Sequence, residues 1–142
     1  MNHEQVETIR KKAIDLELEG IENIRSMPLE DLMQAYNGTG PEWFPAAWRE
    51  KLDEKLRVFL PAVMVHDCDF DRSDGSVPSF DAANGRLLLN AIRCANDAAT
   101  WLTLRRYALW LEAFALYRIC SRTGWNAWRQ AFLRNKEKAS LQ

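Results

Sequence analysis

His66 and Asp67 stand side by side inside an otherwise apolar run, Phe59-Leu-Pro-Ala-Val-Met-Val-His-Asp-Cys-Asp-Phe70. At roughly 3.6 residues per turn, Phe59, Val63, His66 and Phe70 share one helix face, with Asp67 about 100° round from it. An imidazole titrates near neutrality, so it can take a proton from water at ordinary pH. A carboxylate next to it can hold a cation that polarises a carbonyl. The plain alternative is a core histidine satisfied by one hydrogen bond, with Asp67 starting a turn.

Upstream, Tyr36-Asn-Gly-Thr-Gly-Pro-Glu-Trp43 packs two glycines, an Asn and a Pro into five residues and excludes regular structure. Gly38 and Gly40 permit positive φ, so successive carbonyls can turn toward one point. Such a loop can cage a hard cation if one carboxylate arrives from elsewhere, and Asp67 is the candidate.

These segments resemble the phospholipase A2 superfamily, closest to its small phage- and prophage-encoded members. The resemblance runs from about Leu29 to Ala95. It rests on Tyr36-Asn-Gly-Thr-Gly40, on Pro61-Ala62 followed by His66-Asp67, and on Phe80-Asp-Ala-Ala-Asn-Gly-Arg86 opening the next helix. It implies His66 as the general base that activates a water and Asp67 as the calcium carboxylate. With Thr39 at the family's loop cysteine, the carbonyls of Gly38, Gly40 and Glu42 complete the calcium ligands. Calcium, with the Gly40 amide, would then stabilise the oxyanion formed from a lipid ester.

The chain departs from the family pattern in three places. The aspartate that orients the histidine is matched by Asn84, with Asn90 as a second candidate. An amide can accept the imidazole N–H but cannot offset an imidazolium; the same kind of exchange in the serine-protease triad costs about 10⁴ in rate. Phe70 replaces an aromatic hydroxyl. The cysteines are missing, with Thr39, Ala62, Val63 and Met64 at the relevant positions.

Cys68, Cys94 and Cys120 are odd in number and lack metal-type spacing. The N-terminus Met1-Asn-His-Glu-Gln is polar, without a secretory pattern. The sequence thus reads as a cytoplasmic, reduced chain stabilised by packing.

Of the 142 residues, 47% are hydrophobic and 11% aromatic, enough for one domain with its own core. No apolar run reaches the roughly 20 residues of a membrane span. Periodicity gives an all-α fold, and the resemblance implies an antiparallel helix pair of the phospholipase A2 type within it. The first helix carries Val6, Ile9, Ala13 and Leu16 and stops near Gly20. A short one begins at Ser26 as its N-cap, with Pro28 in its first turn, and another runs from Pro45 toward Arg57. Then come the His66 helix, a polar loop over 71–78 that has room for a small hairpin, and helices over about 80–96, 98–121 and 125–137.

Asp69-Phe-Asp-Arg-Ser-Asp-Gly75 offers a rival metal site, yet its Gly falls one place late for an EF-hand and no closing Glu follows. Asp69, Asp71 and Asp74 then form a solvated acidic turn. Residues 98–142 hold eight Lys/Arg against Glu112 and Glu137, a net of +6, which leaves −7 for the rest of a chain of net −1. The same third carries Trp101, Tyr107, Trp110, Phe114, Tyr117, Trp125, Trp128 and Phe132. Basic and aromatic side chains together suit a phospholipid or membrane surface, and nucleic acid less well. A plainer account makes Trp110, Phe114 and Tyr117 a core stripe. The functional expectation is calcium-dependent, phospholipase A2-like hydrolysis of a lipid ester, weak in rate. The alternative is a catalytically silent phage or prophage helical protein with a structural or host-interaction role.

Overall fold

The computed structural model describes residues 2–36, 46–99 and 103–140, and of 46–50 the backbone alone. The described elements are α1 (His3–Asp15), α2 (Glu22–Arg25), α3 (Leu29–Ala35), α4 (Ala46–Lys55), a 3₁₀ turn (Arg57–Phe59), α5 (Leu60–Asp71), α6 (Val77–Ala98), α7 (Leu104–Thr123) and α8 (Trp125–Ser140). No strand occurs among the described residues, and the 72–76 turn holds no hairpin.

The centre of the molecule is α5. Pro61 in its first turn suits a helix start, where a missing N–H costs nothing. From Leu60 to Cys68 every residue except Asp67 is buried. One-sided amphipathicity is lost because α5 is packed against α1, α2, α3, α6 and α8. Each fully buried aliphatic side chain there stabilises the fold by about 1.5–3 kcal/mol, which makes α5 a fixed reference for the side chains it carries.

Helix α6 starts at Val77, earlier than the expected Phe80, because the turn before it is built to cap it. Asp74 accepts hydrogen bonds from the Ser76 amide at 2.9 Å and the Ser79 hydroxyl at 2.7 Å, and Ser76 Oγ accepts from the Ser79 amide. Gly75 sits at φ +74, and a Cβ there would fall 2.7 Å from the Phe132 ring. The helices α5 and α6 then run antiparallel: Phe70 meets Phe80, His66 meets Asn84, and the Ala62 backbone lies against the Cys94 thiol.

The other ends differ from expectation in instructive ways. α1 stops at Asp15, because Glu17 at φ +49 turns the chain out of the helix. The next full helix begins at Leu29 with Pro28 as its cap residue, so Ser26 does not cap it. α6 continues to Ala98 and α7 starts at Leu104, so the expected start near residue 98 falls inside α6. One core cluster draws on α1, α2, α3, α5, α6 and α7, and a smaller aromatic one joins Phe80, Ala83 and Trp128 with Phe70 and Trp125. The core stripe of α7 is Leu109, Ala113 and Leu116. Phe114 is 49% exposed, which corrects the stripe expected through Trp110, Phe114 and Tyr117.

Candidate functional site

The site grows from two turns of α5 and the facing turn of α6. His66 is 6% exposed, so its ring nitrogens need partners inside the protein. Nε2 lies 3.2 Å from Asn84 Oδ1. The other end of that amide fixes the protonation pattern. Asn84 Nδ2 donates to the Phe80 carbonyl at 2.9 Å, and a carbonyl oxygen can only accept. Oδ1 therefore faces His66 and accepts, so the imidazole carries its proton on Nε2. The lone pair is left on Nδ1, the nitrogen that can receive a proton.

Nδ1 points toward Asp67, whose Oδ1 is 3.9 Å away, too far for a hydrogen bond but close enough to attract a positive charge formed on the ring. The other side of the ring is covered by Phe70, with centroids 4.4 Å apart. Trp128 meets Phe70 edge-on at 5.0 Å and extends this aromatic wall. Asp67 is the less buried of the two, with 24% of its side chain exposed.

Burial pushes the Asp67 carboxyl above the usual aspartate range, His66 pulls it back, and Asp53 on α4 raises it further. Tyr36, at the end of α3, is also pushed up, first by burial and then by the charges of Asp67 and Asp53. Its hydroxyl is buried and has no hydrogen-bond partner among the described residues. The thiols of Cys68 and Cys120 are pushed up to about 12, chiefly by burial, with Asp67 next. They stay protonated near neutrality and supply no nucleophile. Sequence reasoning gave Asp53, Tyr36 and Cys120 no role. Only Tyr36 carried a signal, as the residue that opens the glycine loop.

Of the expected calcium ligands, Asp67 alone lies in the described part; Gly38, Gly40 and Glu42 lie outside it. Asp67 would supply one hard carboxylate oxygen to a divalent cation, and the cation's charge would offset the burial that raises this carboxyl. Among the described residues no three His, Cys, Asp or Glu side chains gather around one point. The acidic turn is not an EF-hand: Asp69 pairs with Arg86 at 3.2 Å, and both carboxylate oxygens of Asp74 are used in capping α6.

Asn90 takes no part in the site, which corrects its place as a second partner for His66. Its side chain accepts from the Glu19 amide at 2.8 Å and donates to the Glu19 carbonyl at 3.0 Å. A groove of about 750 Å³ between α1 and the α4–α5 region is lined by Thr8, Ile9, Lys12, Asp53, Leu60 and Pro61, among others. None of His66, Asp67 and Asn84 lines it, so it is a separate feature. The chain matches no family model, no curated protein and no solved structure.

Proposed function

We propose that the chain is a slow, calcium-dependent, phospholipase A2-like hydrolase of lipid esters, with His66 as the base. The observation that supports this most is the 3.2 Å contact between His66 Nε2 and Asn84 Oδ1, which leaves Nδ1 unprotonated beside Asp67. In this reading His66 Nδ1 takes a proton from a water as the water oxygen bonds to the ester carbonyl carbon. The imidazolium is held by Asn84 on one side and attracted by Asp67 on the other. It returns the proton to the departing alkoxide as the ester bond breaks. Calcium held by Asp67 and the carbonyls of Gly38, Gly40 and Glu42 would supply positive charge at the ester carbonyl.

Two observations favour the second reading, a silent helical protein with a structural or host-interaction role. Asn84 cannot neutralise an imidazolium as a carboxylate can, and His66 is nearly sealed. A fluorescent phospholipid assay across a calcium titration decides between them. The enzyme gives slow, calcium-dependent release that His66→Ala removes. The silent protein gives release no faster than His66→Ala at any calcium concentration.

A further inference from the structure

Helix α7 is apolar on two opposite faces, and the core uses one of them. Leu109, Ala113 and Leu116 are buried on the inner face. Leu104, Tyr107, Leu111 and Phe114 recur at steps of three, four and three and lie together on the outer face. They are 89%, 47%, 71% and 49% exposed. A helix with a single docking face would carry polar residues there. The stripe continues into Arg118 and Arg122, both exposed and on the same side, and Arg105 flanks its start.

Charge decides what covers this face. The α7–α8 third carries a net of +6. On the face itself the charged side chains are Arg118 and Arg122, and a second copy packed α7 against α7 would bring them no carboxylate, since Glu112 lies off that face. Nucleic acid would meet the arginines but leave Leu104 and Leu111 without partners, since bases stack on aromatic rings and arginine planes. An anionic lipid surface satisfies both halves: the apolar stripe enters the headgroup–acyl boundary while the arginine stems lie along it and their heads meet phosphates. No helix among the described residues is long and apolar enough to cross a membrane, so the contact is interfacial.

We propose that the outer face of α7, formed by Leu104, Tyr107, Leu111 and Phe114 with Arg118 and Arg122 at its end, docks the protein onto anionic lipid surfaces. The proposal stands on α7 alone and needs neither His66 nor calcium. The test is co-sedimentation of the full chain with vesicles of ether-linked phosphatidylglycerol and phosphatidylcholine, or of phosphatidylcholine alone, with a chelator present. Ether linkages and chelator remove hydrolysis, so this result is independent of the assay on His66. The wild type and His66→Ala should bind the anionic vesicles alike, less so as salt rises, and the neutral vesicles weakly. The double variant Leu111→Glu, Phe114→Glu should keep its helical circular dichroism and lose about tenfold or more in partitioning. Arg118→Glu, Arg122→Glu should lose at least about tenfold on the anionic vesicles alone. Absence of wild-type binding, or unchanged binding in either double variant, overturns the proposal. So does a dimer in gel filtration that Leu111→Glu, Phe114→Glu dissociates.

Discussion

At the scale of single residues, the question is what Asn84 does for His66. It fixes a tautomer but leaves an imidazolium without a counter-charge on that side. Asn84→Asp would put a carboxylate opposite Nε2, where it offsets an imidazolium. It should speed lipid hydrolysis, at some cost in stability, since the Phe80 carbonyl loses the donor Nδ2 now gives it. Asn84→Leu should destabilise by about 1–3 kcal/mol in urea unfolding, because it orphans a buried ring N–H. The His66–Asn84 pair was legible in the sequence. It came from the resemblance, which left Asn90 open beside Asn84; helical spacing put both amides on the inner face of α6, and only the packed structure separates them. The electrostatic setting of Asp67 was not legible: Tyr36, Asp53 and Cys120, whose groups interact with its charge, are far from it in sequence, and tertiary packing sets how near they come.

At the scale of elements, two devices hold the α5–α6 pair in place. Asn90 grips both polar groups of the Glu19 backbone, and Arg93 reaches the Glu17 carbonyl and the Glu19 carboxylate. Asn90→Ala should therefore lower stability by about 2–3 kcal/mol, read from the urea midpoint, and leave the rate of lipid hydrolysis unmoved. A loss of hydrolysis as large as that of His66→Ala would contradict the assignment. The second device is the Asp74 cap. Hydrogen bonds from Ser79 and Ser76 hold its carboxyl below the usual aspartate range. A depressed carboxyl contributes stability above its unfolded pKa, near 4, and loses it as pH falls through the lower folded value. Asp74→Asn should flatten the acid limb of a circular-dichroism pH titration below about pH 4 and leave its alkaline side unchanged. Helix existence was readable from periodicity, because apolar spacing is a local property. Helix ends were not: α6 starts early through the Asp74 cap, and α1 stops early where Glu17 takes a left-handed turn.

At the scale of the whole molecule, an acidic two-thirds holds the candidate site and a basic third presents the outer face of α7. The all-helical class followed from composition and period, whereas the two-faced character of α7 did not. Apolar residues all round a helix look the same in sequence whether a core or an outside surface takes them. Calcium, if Asp67 holds it, stabilises the folded chain by mass action, about 2.7 kcal/mol at one hundred times its dissociation constant. Thermal unfolding should therefore move upward in millimolar calcium, and Asp67→Asn should cancel the rise. The central claim is that His66 is a working base, and the most direct measurement is fatty-acid release from phospholipid vesicles by wild type, Asn84→Asp and His66→Ala, each in calcium. The account predicts slow release by the wild type, faster release by Asn84→Asp, and none by His66→Ala. Equal background release from all three, in protein whose melting calcium raises, would contradict it and leave the silent helical protein as the better description.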